Sequence, residues 1–478
     1  MNFEIVIGLE VHCELKTKSK MFSASPVSFG APANTMANST DLAMTGTMPV
    51  VNKSGVEYAI RVCHALHMEI DELLRFDRKN YYYADLPKGF QITQDRYPIG
   101  RNGKLELEVN GKTEIVEIER LHMEEDTAKQ LHMLDYSLLD YNRAGIPLIE
   151  IVTRPTIRSG KGAAAYLERL RQIFLFTEVS DAKMEEGSMR CDVNISLRPY
   201  GSDTLGIRTE IKNLNSISNV QKAIEFEARR QEKLLLSGKS VLQQTMRYNE
   251  ETKETVAMRS KGDAVDYKYY PEPNIPPIRI AHAWVEAIKN KLPEMPDMRK
   301  QRYITTYHIP PTDADILVQS KEMSDFFEAC LLHTKEYKLI SNWLLGDVQA
   351  YMNKHGLTIS QLQLTPAFLA TIITCITDGS ISSKQAKKVF ELVVTTGKDP
   401  LQVIEENNMK QISSPEQLAP IINSILDNNS QSIEDYQNGK DRAIGFLVGQ
   451  IMKATNGQAN PALTSKLLIQ LLQERIQK

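Results

Sequence analysis

The 478-residue chain holds only five cysteines and two tryptophans. Cys13, Cys63, Cys191, Cys330 and Cys375 are odd in number, widely spaced and form no C-x-x-C pair. That excludes a disulfide framework and fits reduced thiols in a cytoplasmic protein. No run of 18 apolar residues occurs, and the first ten residues lack a basic stretch followed by an apolar one, so neither a membrane span nor a secretory signal is expected. Charge of one sign is also missing: 57 Lys+Arg stand against 60 Asp+Glu, for a net charge of -3. A histone-like basic coat is excluded, and any nucleic-acid partner has to be met by a local basic patch. Phosphate-binding loops are absent too. Gly238-Lys239-Ser240 has Lys233 where a P-loop needs glycine, no G-x-G-x-x-G follows a strand, and the kinase catalytic-loop pattern does not occur. A nucleotide site must therefore be built on a sheet face.

The length suggests about three domains, each able to bury an ordinary core. Up to residue 292 the pattern is dominated by short period-two runs between Gly, Pro and Asn punctuation, which predicts a β-rich, α+β domain. Helices are predicted from Gly162 to Thr177 and from a Ser218 cap to Gly238. From residue 293 a 3.6-residue periodicity takes over, predicting an all-α domain over 293–407. A break between Asn407 and Pro415 sets off a small helical tail over 408–478, in which residues 411–478 carry six acids and six bases.

Sorting the strands by parity locates the chemistry. In the first strand Ile5, Ile7, Leu9, Val11, Cys13 and Leu15 share one face, and Glu10, His12 and Glu14 share the other. In Met189–Arg198 the even positions Arg190, Asp192 and Asn194 are polar, and Arg208, Glu210 and Lys212 alternate likewise. A half-solvated antiparallel sheet accounts for any one of these faces. Glu150 is different: it lies within Pro147-Leu-Ile-Glu-Ile-Val152, where an acid needs a cationic partner to offset desolvation. Glu124-Glu125-Asp126 puts at least two acids on one side of an extended chain. A divalent cation supplies the missing charge. Carboxylates on several strands suit Mg²⁺, which takes its remaining ligands from water and nucleotide phosphates, and His12 admits Mn²⁺ or Zn²⁺ as well.

A second cluster, Arg75 to Tyr83 followed by Lys88-Gly-Phe90, interleaves four bases with five aromatic rings, a composition that suits single-stranded nucleic acid as well as an ordinary edge strand. His64 and His67 stand three apart with no carboxylate in helical register and are read as structural.

Several segments carry a resemblance. Ile7-Gly-Leu-Glu-Val-His12, Phe76-Asp-Arg-Lys-Asn-Tyr-Tyr-Tyr83, Leu121-His-Met-Glu-Glu-Asp126, Pro147-Leu-Ile-Glu-Ile-Val152, Lys183-Met-Glu-Glu-Gly-Ser-Met-Arg-Cys-Asp-Val-Asn194 and Glu210-Ile-Lys-Asn-Leu-Asn-Ser216 closely resemble the B subunits of the tRNA-dependent amidotransferases, GatCAB. Lys321-Glu-Met-Ser-Asp-Phe-Phe327, Ser341-Asn-Trp343 and Gly445-Phe-Leu-Val-Gly-Gln-Ile-Met452 extend it over nearly the whole chain. The resemblance implies a cradle-like β-rich catalytic domain, a helical domain and a YqeY-like tail. It implies a ligase that phosphorylates the side-chain carboxylate of Glu-tRNA(Gln) or Asp-tRNA(Asn) with ATP and Mg²⁺, then converts it with ammonia to the amide.

Carried over by position, it makes Glu10, His12, Glu125 and Glu150 the catalytic set. Glu10, His12, Glu124, Glu125 and Glu150 become metal ligands, with Asp192 and Glu210 in support. Lys79, Tyr81, Tyr82 and Lys88 are expected at the nucleotide, the tRNA end or the ammonia path, and Arg190 and Lys212 are read as phosphate-charge stabilisers. The chain has no glutaminase signature of its own, so an amidase A subunit and a small C subunit are the implied partners, in a heterotrimer. Some family members bind structural zinc through C-x-C and C-P-x-C; here those places read Ser23-Ala-Ser25 and Asn38-Ser-Thr-Asp41, so no zinc is expected. A non-catalytic tRNA scaffold would not need Glu150 in an aliphatic strand. A ligase for a small metabolite would not need the aromatic-basic cluster and helical tail.

Overall fold

The computed structural model describes residues 3–258, 266–412, 414–437, 440, 442–455 and 457–476. The chain divides into two compact units, Met1–Pro296 and Asp297–Lys478.

The first unit is built on strands β1 (Phe3–Glu14), β2 (Glu69–Ile70), β3 (Leu73–Leu74), β4 (Asp77–Asn80), β5 (Phe90–Thr93), β6 (Gly100–Val109), β7 (Lys112–Glu125) and β8 (Lys129–His132). They are followed by β9 (Ser137–Asp140), β10 (Pro147–Thr153), β11 (Met189–Pro199), β12 (Thr209–Lys212), β13 (Gln244–Asn249), β14 (Glu254–Ala257), β15 (Tyr270–Pro271) and β16 (Ile278–Arg279). Among the described residues, nine of these form one sheet in the order β14-β13-β12-β11-β1-β10-β7-β6-β2. All of its pairs are antiparallel except β12 with β13. A small sheet β15-β4-β5 stands beside it.

Strand β1 is central, paired with β10 on one side and β11 on the other. The period-two alternation is therefore that of a sheet with one packed face. Ile7, Leu9, Val11 and Cys13 are fully buried with Met189, Cys191, Val193 and Ile195 of β11. Helices cover that face: α1 (Lys53–Ala65), α2 (Gly160–Phe176) and α3 (Ile217–Leu236), with a shorter α4 (His282–Lys289) beside α1. Leu167, Leu170, Ile173 and Phe174 form the buried stripe of α2.

Two helices depart from the sequence reading, and one cap moves. The predicted Ser218 cap is Ser216, whose Oγ accepts from the Asn219 N–H at 3.1 Å and so satisfies one of the free amides of the first turn. Helices α1 and α4 lie outside the sequence reading. Asn52 caps α1, accepting from the N–H groups of Ser54 and Gly55 at 2.9 and 3.2 Å, and Val56, Ala59, Ile60 and Cys63 then fall on one buried face at helical spacing. His64, on this helix, meets the Val285 carbonyl at 3.2 Å, a structural contact between α1 and α4.

The second unit is helical. Pro296–Tyr307, Pro311–Leu317, Lys321–Leu331, Tyr337–Trp343, Gln349–His355, Pro366–Thr377, Ser383–Thr396 and Pro400–Glu406 come first. Pro415–Asp427, Ser430–Gln437, Arg442–Ala454 and Pro461–Ile476 follow, and enclose a core of their own made by Leu418, Ile422, Leu447, Ile451, Leu468 and Leu472. Among the described residues no helix is long and apolar enough to cross a membrane.

Candidate functional site

The polar face of the nine-stranded sheet carries the site, and strand register brings its residues together. His12 on β1 lies opposite Glu150 on β10, and Glu150 lies opposite His122 on β7. One row runs across three adjacent strands: imidazole, carboxylate, imidazole. Next to it, Asp192, Glu10, Val152, Arg120 and Arg101 form a second row, and Glu14, Leu148 and Glu124 a third.

The distances are short. His12 Nε2 lies 3.3 Å from Glu150 Oε2, 3.7 Å from Glu124 Oε1 and 3.8 Å from Glu10 Oε1. His122 Nε2 lies 3.2 Å from the same Glu150 oxygen and 3.8 Å from Glu124 Oε2. Two groups suited to a cation result, Glu10–His12–Glu150 and His122–Glu124–Glu150, and they share Glu150. A polar cavity of about 170 Å³ opens on them, lined also by Lys79, Thr93, Gln94, Asp95, Arg120 and Tyr269.

Electrostatics follow from this crowding. Glu150 is only 8 % exposed, and although burial disfavours its charge, the two imidazoles hold its carboxyl well below the usual range. Burial pulls the His122 imidazole down, but Glu150 and Glu124 outweigh it and push it up to about 10. Burial likewise opposes the charge on His12, and Glu150, Glu124 and Glu10 overcome it to raise that imidazole. Glu10 is raised, first by burial and then by the Glu150 charge. The two imidazoles thus act as counter-charges to the acids around them. The carboxylate oxygens suit Mg²⁺ or Mn²⁺, and the imidazoles admit Mn²⁺ or Zn²⁺; binding of an ion at the imidazole nitrogens would release their protons.

Glu125, grouped with Glu124 in the sequence reading, is placed elsewhere. Successive residues of a strand point to opposite faces, so Glu124 enters the cation cluster while Glu125 turns to a second cavity of about 270 Å³. There its Oε1 accepts from Lys88 Nζ and from the Ile92 N–H at 3.0 Å, and its backbone carbonyl accepts from Gln91. This chamber is more apolar, with Phe22, Leu86, Phe90 and Ile92 in its wall.

The supporting residues separate in the same way. Asp192 stands beside Glu10 and pairs with Lys212 at 2.6 Å. Glu210 meets Lys212 at 3.3 Å and accepts from the Thr245 hydroxyl at 2.9 Å, one strand further out. Arg190 pairs with Asp126 at 2.6 Å. Lys79 lines the polar cavity, with its ammonium 4.8 Å from the Tyr267 ring, and Tyr81 packs edge-on against the same ring. Tyr82 is 94 % exposed.

The sequence reading missed His122, Tyr269 and Arg120. Parity on β7 carries the signal for two of them, because Arg120, His122 and Glu124 alternate with Leu121 and Met123. Tyr269 is brought in by the pairing of β15 with β4, which no local pattern announces.

The loop between β1 and α1 is held without thiols. Asp41 accepts from the Ser23 and Ser25 hydroxyls at 2.7 and 2.5 Å and from the Asn38 N–H at 3.0 Å, and it pairs with the fully buried Lys20 at 3.2 Å. Lys20 also donates to the Tyr141 carbonyl at 3.0 Å. Gly145 closes over this knot at φ +84°, where a Cβ would stand 3.2 Å from Asp41 and 3.3 Å from Lys20.

Comparison with known proteins agrees with this architecture. The family described as the GatB/GatE catalytic domain matches residues 5–286, and the GatB domain matches residues 325–472. The B subunit of the aspartyl/glutamyl-tRNA(Asn/Gln) amidotransferase of Oceanobacillus iheyensis is 53 % identical over 476 residues, 99 % of this chain and 100 % of the relative. The proteins of the same name from Staphylococcus aureus strain MRSA252 and Ligilactobacillus salivarius are 53 % identical over 475 residues and 52 % over 477, with the same coverage. With its catalytic-domain match lying on the sheet that carries the acid and histidine rows, and with relatives more than half identical from end to end, the chain belongs to the GatB family.

Proposed function

We propose that this chain is the B subunit of a glutamine-dependent amidotransferase of translation, a ligase that works in the cytoplasm on Glu-tRNA(Gln) or Asp-tRNA(Asn). In this reading it phosphorylates the side-chain carboxylate with ATP and passes the acyl phosphate to ammonia delivered by an amidase A subunit, with a small C subunit completing the heterotrimer. The observation that carries it is the row His12–Glu150–His122 flanked by Glu10 and Glu124. A carboxylate is a poor electrophile, and activating one with ATP needs a site that gathers phosphate and cation on a surface without a P-loop.

Glu10, His12 and Glu150 would hold one cation, and His122 and Glu124 form the neighbouring donor group that shares Glu150. Bound there, Mg²⁺ offsets the acids and polarises phosphoryl oxygens. Lys79 and Arg120 line the same cavity and are placed to draw in phosphate. Arg190 and Lys212 are engaged with Asp126 and Asp192 and would hold those acids in place beside the phosphate. Glu125 and Lys88, paired at the wall of the second chamber, would serve the amide-forming step from there. The division into 1–292, 293–407 and 408–478 belongs to the same reading, the tail over 408–478 meeting the tRNA.

The test is γ-phosphate release by the chain assembled with its A and C partners, with and without Glu-tRNA(Gln). Turnover should rise with the misacylated tRNA. Turnover that ignores it would end the enzymatic reading.

A further inference from the structure

Residues 38–49 form no helix or strand, yet they build much of the second chamber: Thr40, Asp41, Ala43, Met44, Thr47 and Pro49 line its space of about 270 Å³. A segment without regular structure keeps its shape only through bonds to its surroundings. Its main-chain bonds are local, the N–H groups of Leu42, Ala43, Met44 and Thr47 donating to the carbonyls of Asn38, Thr40, Ser39 and Met44. Ala43 sits at φ +55°, and left-handed backbone at a residue with a Cβ persists only where the surrounding structure holds it.

Among the described residues, every hydrogen bond and ion pair that leaves this segment ends on Asp41, which gathers Ser23, Ser25 and the buried Lys20. Bonds to an ionised carboxylate are short and strong. The anchor extends further. Gly145, packed over the pair, accepts from the Met21 N–H at 2.7 Å and donates to the Asp126 carbonyl at 2.9 Å. Asp126 follows Glu125. One fastening therefore joins the irregular wall of the chamber to the strand end that carries Glu125.

We propose that Lys20 and Asp41 are positioning residues for the amide-forming step, their buried ion pair fixing the wall of the chamber that Glu125 and Lys88 also line. The inference rests on the proposed function and adds these two residues to it. Ammonia and water compete for the acyl phosphate. When ammonia attacks, a C–N bond forms, the C–O bond to phosphate breaks with its electron pair going to phosphate, and a proton passes from nitrogen to phosphate. When water attacks, the same bond breaks, the carboxylate returns, and one proton passes to phosphate and one to solvent. A fixed wall keeps the small nucleophile oriented towards the acyl carbon. A slack wall leaves ATP cleavage intact and lets water take the acyl phosphate.

The experiment uses the full chain in complex with its A and C partners, Glu-tRNA(Gln), ATP and either glutamine or ammonium chloride. Phosphate and amide are measured together for the wild type and for Lys20→Met/Asp41→Asn, in which no buried charge is left unpaired. Amide formed per phosphate released should fall by roughly 10-fold with both donors, as expected when a reactant loses its orientation. The KM for ammonium should rise while the rate of tRNA-stimulated phosphate release stays close to that of the wild type. Ser23→Ala/Ser25→Ala keeps the ion pair and removes two ties, so it should show a smaller drop of the same sign, and it decides the matter if the first variant does not assemble. Wild-type coupling in either assembled variant overturns the proposal. Equal loss of phosphate and amide also overturns it, since the pair would then serve folding alone. Failure of the proposed function is seen separately, as wild-type phosphate release that ignores the tRNA.

Discussion

Replacing Asp41 by alanine removes the centre of the knot that holds the loop between β1 and α1. Its carboxylate is 4 % exposed and carries Ser23, Ser25, the Asn38 N–H and Lys20, whose side chain is 0 % exposed. Burial lowers the Lys20 ammonium from its ordinary value even with Asp41 present, so the variant leaves a buried charge hydrogen-bonded to the Tyr141 carbonyl, with Glu125 and Asp140 as more distant counter-charges. Breaking a buried pair from one side costs about 3–5 kcal/mol. Each unit holds one tryptophan, Trp284 and Trp343, so a Trp343→Phe background reports the first unit alone in urea. At a slope near 3 kcal/mol/M the midpoint should fall by about 1–1.7 M. Lys20→Met combined with Asp41→Asn should recover much of the loss, because no charge is left unpaired. A midpoint shift under about 0.3 M would refute the reasoning, and so would a double variant as poor as the sum of the singles. Stoichiometric zinc in the purified protein would show that the loop is held by something other than this knot.

Three further outcomes follow from the site. Because His122 is raised from 6.5 to about 10 by Glu150 and Glu124, its stabilising contribution in chelator is complete below pH 6.5 and is lost as pH rises through about 10. His122→Asn should flatten that part of the stability profile, and titrating Mg²⁺ into the wild type should release protons, seen as a buffer-dependent heat; no dependence on buffer would remove both imidazoles from the cation site. Glu150→Gln takes a ligand from both triads at once, so activity should fall by more than the 10- to 100-fold usual for an outer partner and raised Mg²⁺ should not restore it; an effect on KM alone would argue that Glu150 only shapes the cavity. Glu125→Gln faces the other chamber and frees Lys88. It should abolish amide formation and leave tRNA binding intact, and a fully active variant would take Glu125 out of the site.

Parity makes much of this legible, and its limits are equally physical. The strict alternation of β1 and β11 exposes both the core and the polar face, and Glu150 stands out because an acid among aliphatic residues needs partners. Glu124 and Glu125 read as one cluster by charge, yet a strand sends neighbouring residues to opposite sides. His122 is overshadowed by those acids. Tyr269 and Lys79 line one cavity because β15 pairs with β4 across about 190 residues of chain. Helix α1 stays hidden because Val56, Ile60 and Val62 are residues at home in strands, and the Asn52 cap and the buried face decide otherwise.

In the proposed site, the placement of His12 and Glu10 on the middle strand of the sheet would tie cation affinity to the core behind it. Leu9 and Val11 are packed with 1 % or less exposure on the reverse side of the strand that presents those ligands, and close-packed interiors pass on shifts of a methylene. Truncating either should register as a heat-sensitive enzyme whose magnesium requirement climbs some degrees before it melts. Screens for conditional alleles in this family would then find their strongest hits on residues that never touch substrate.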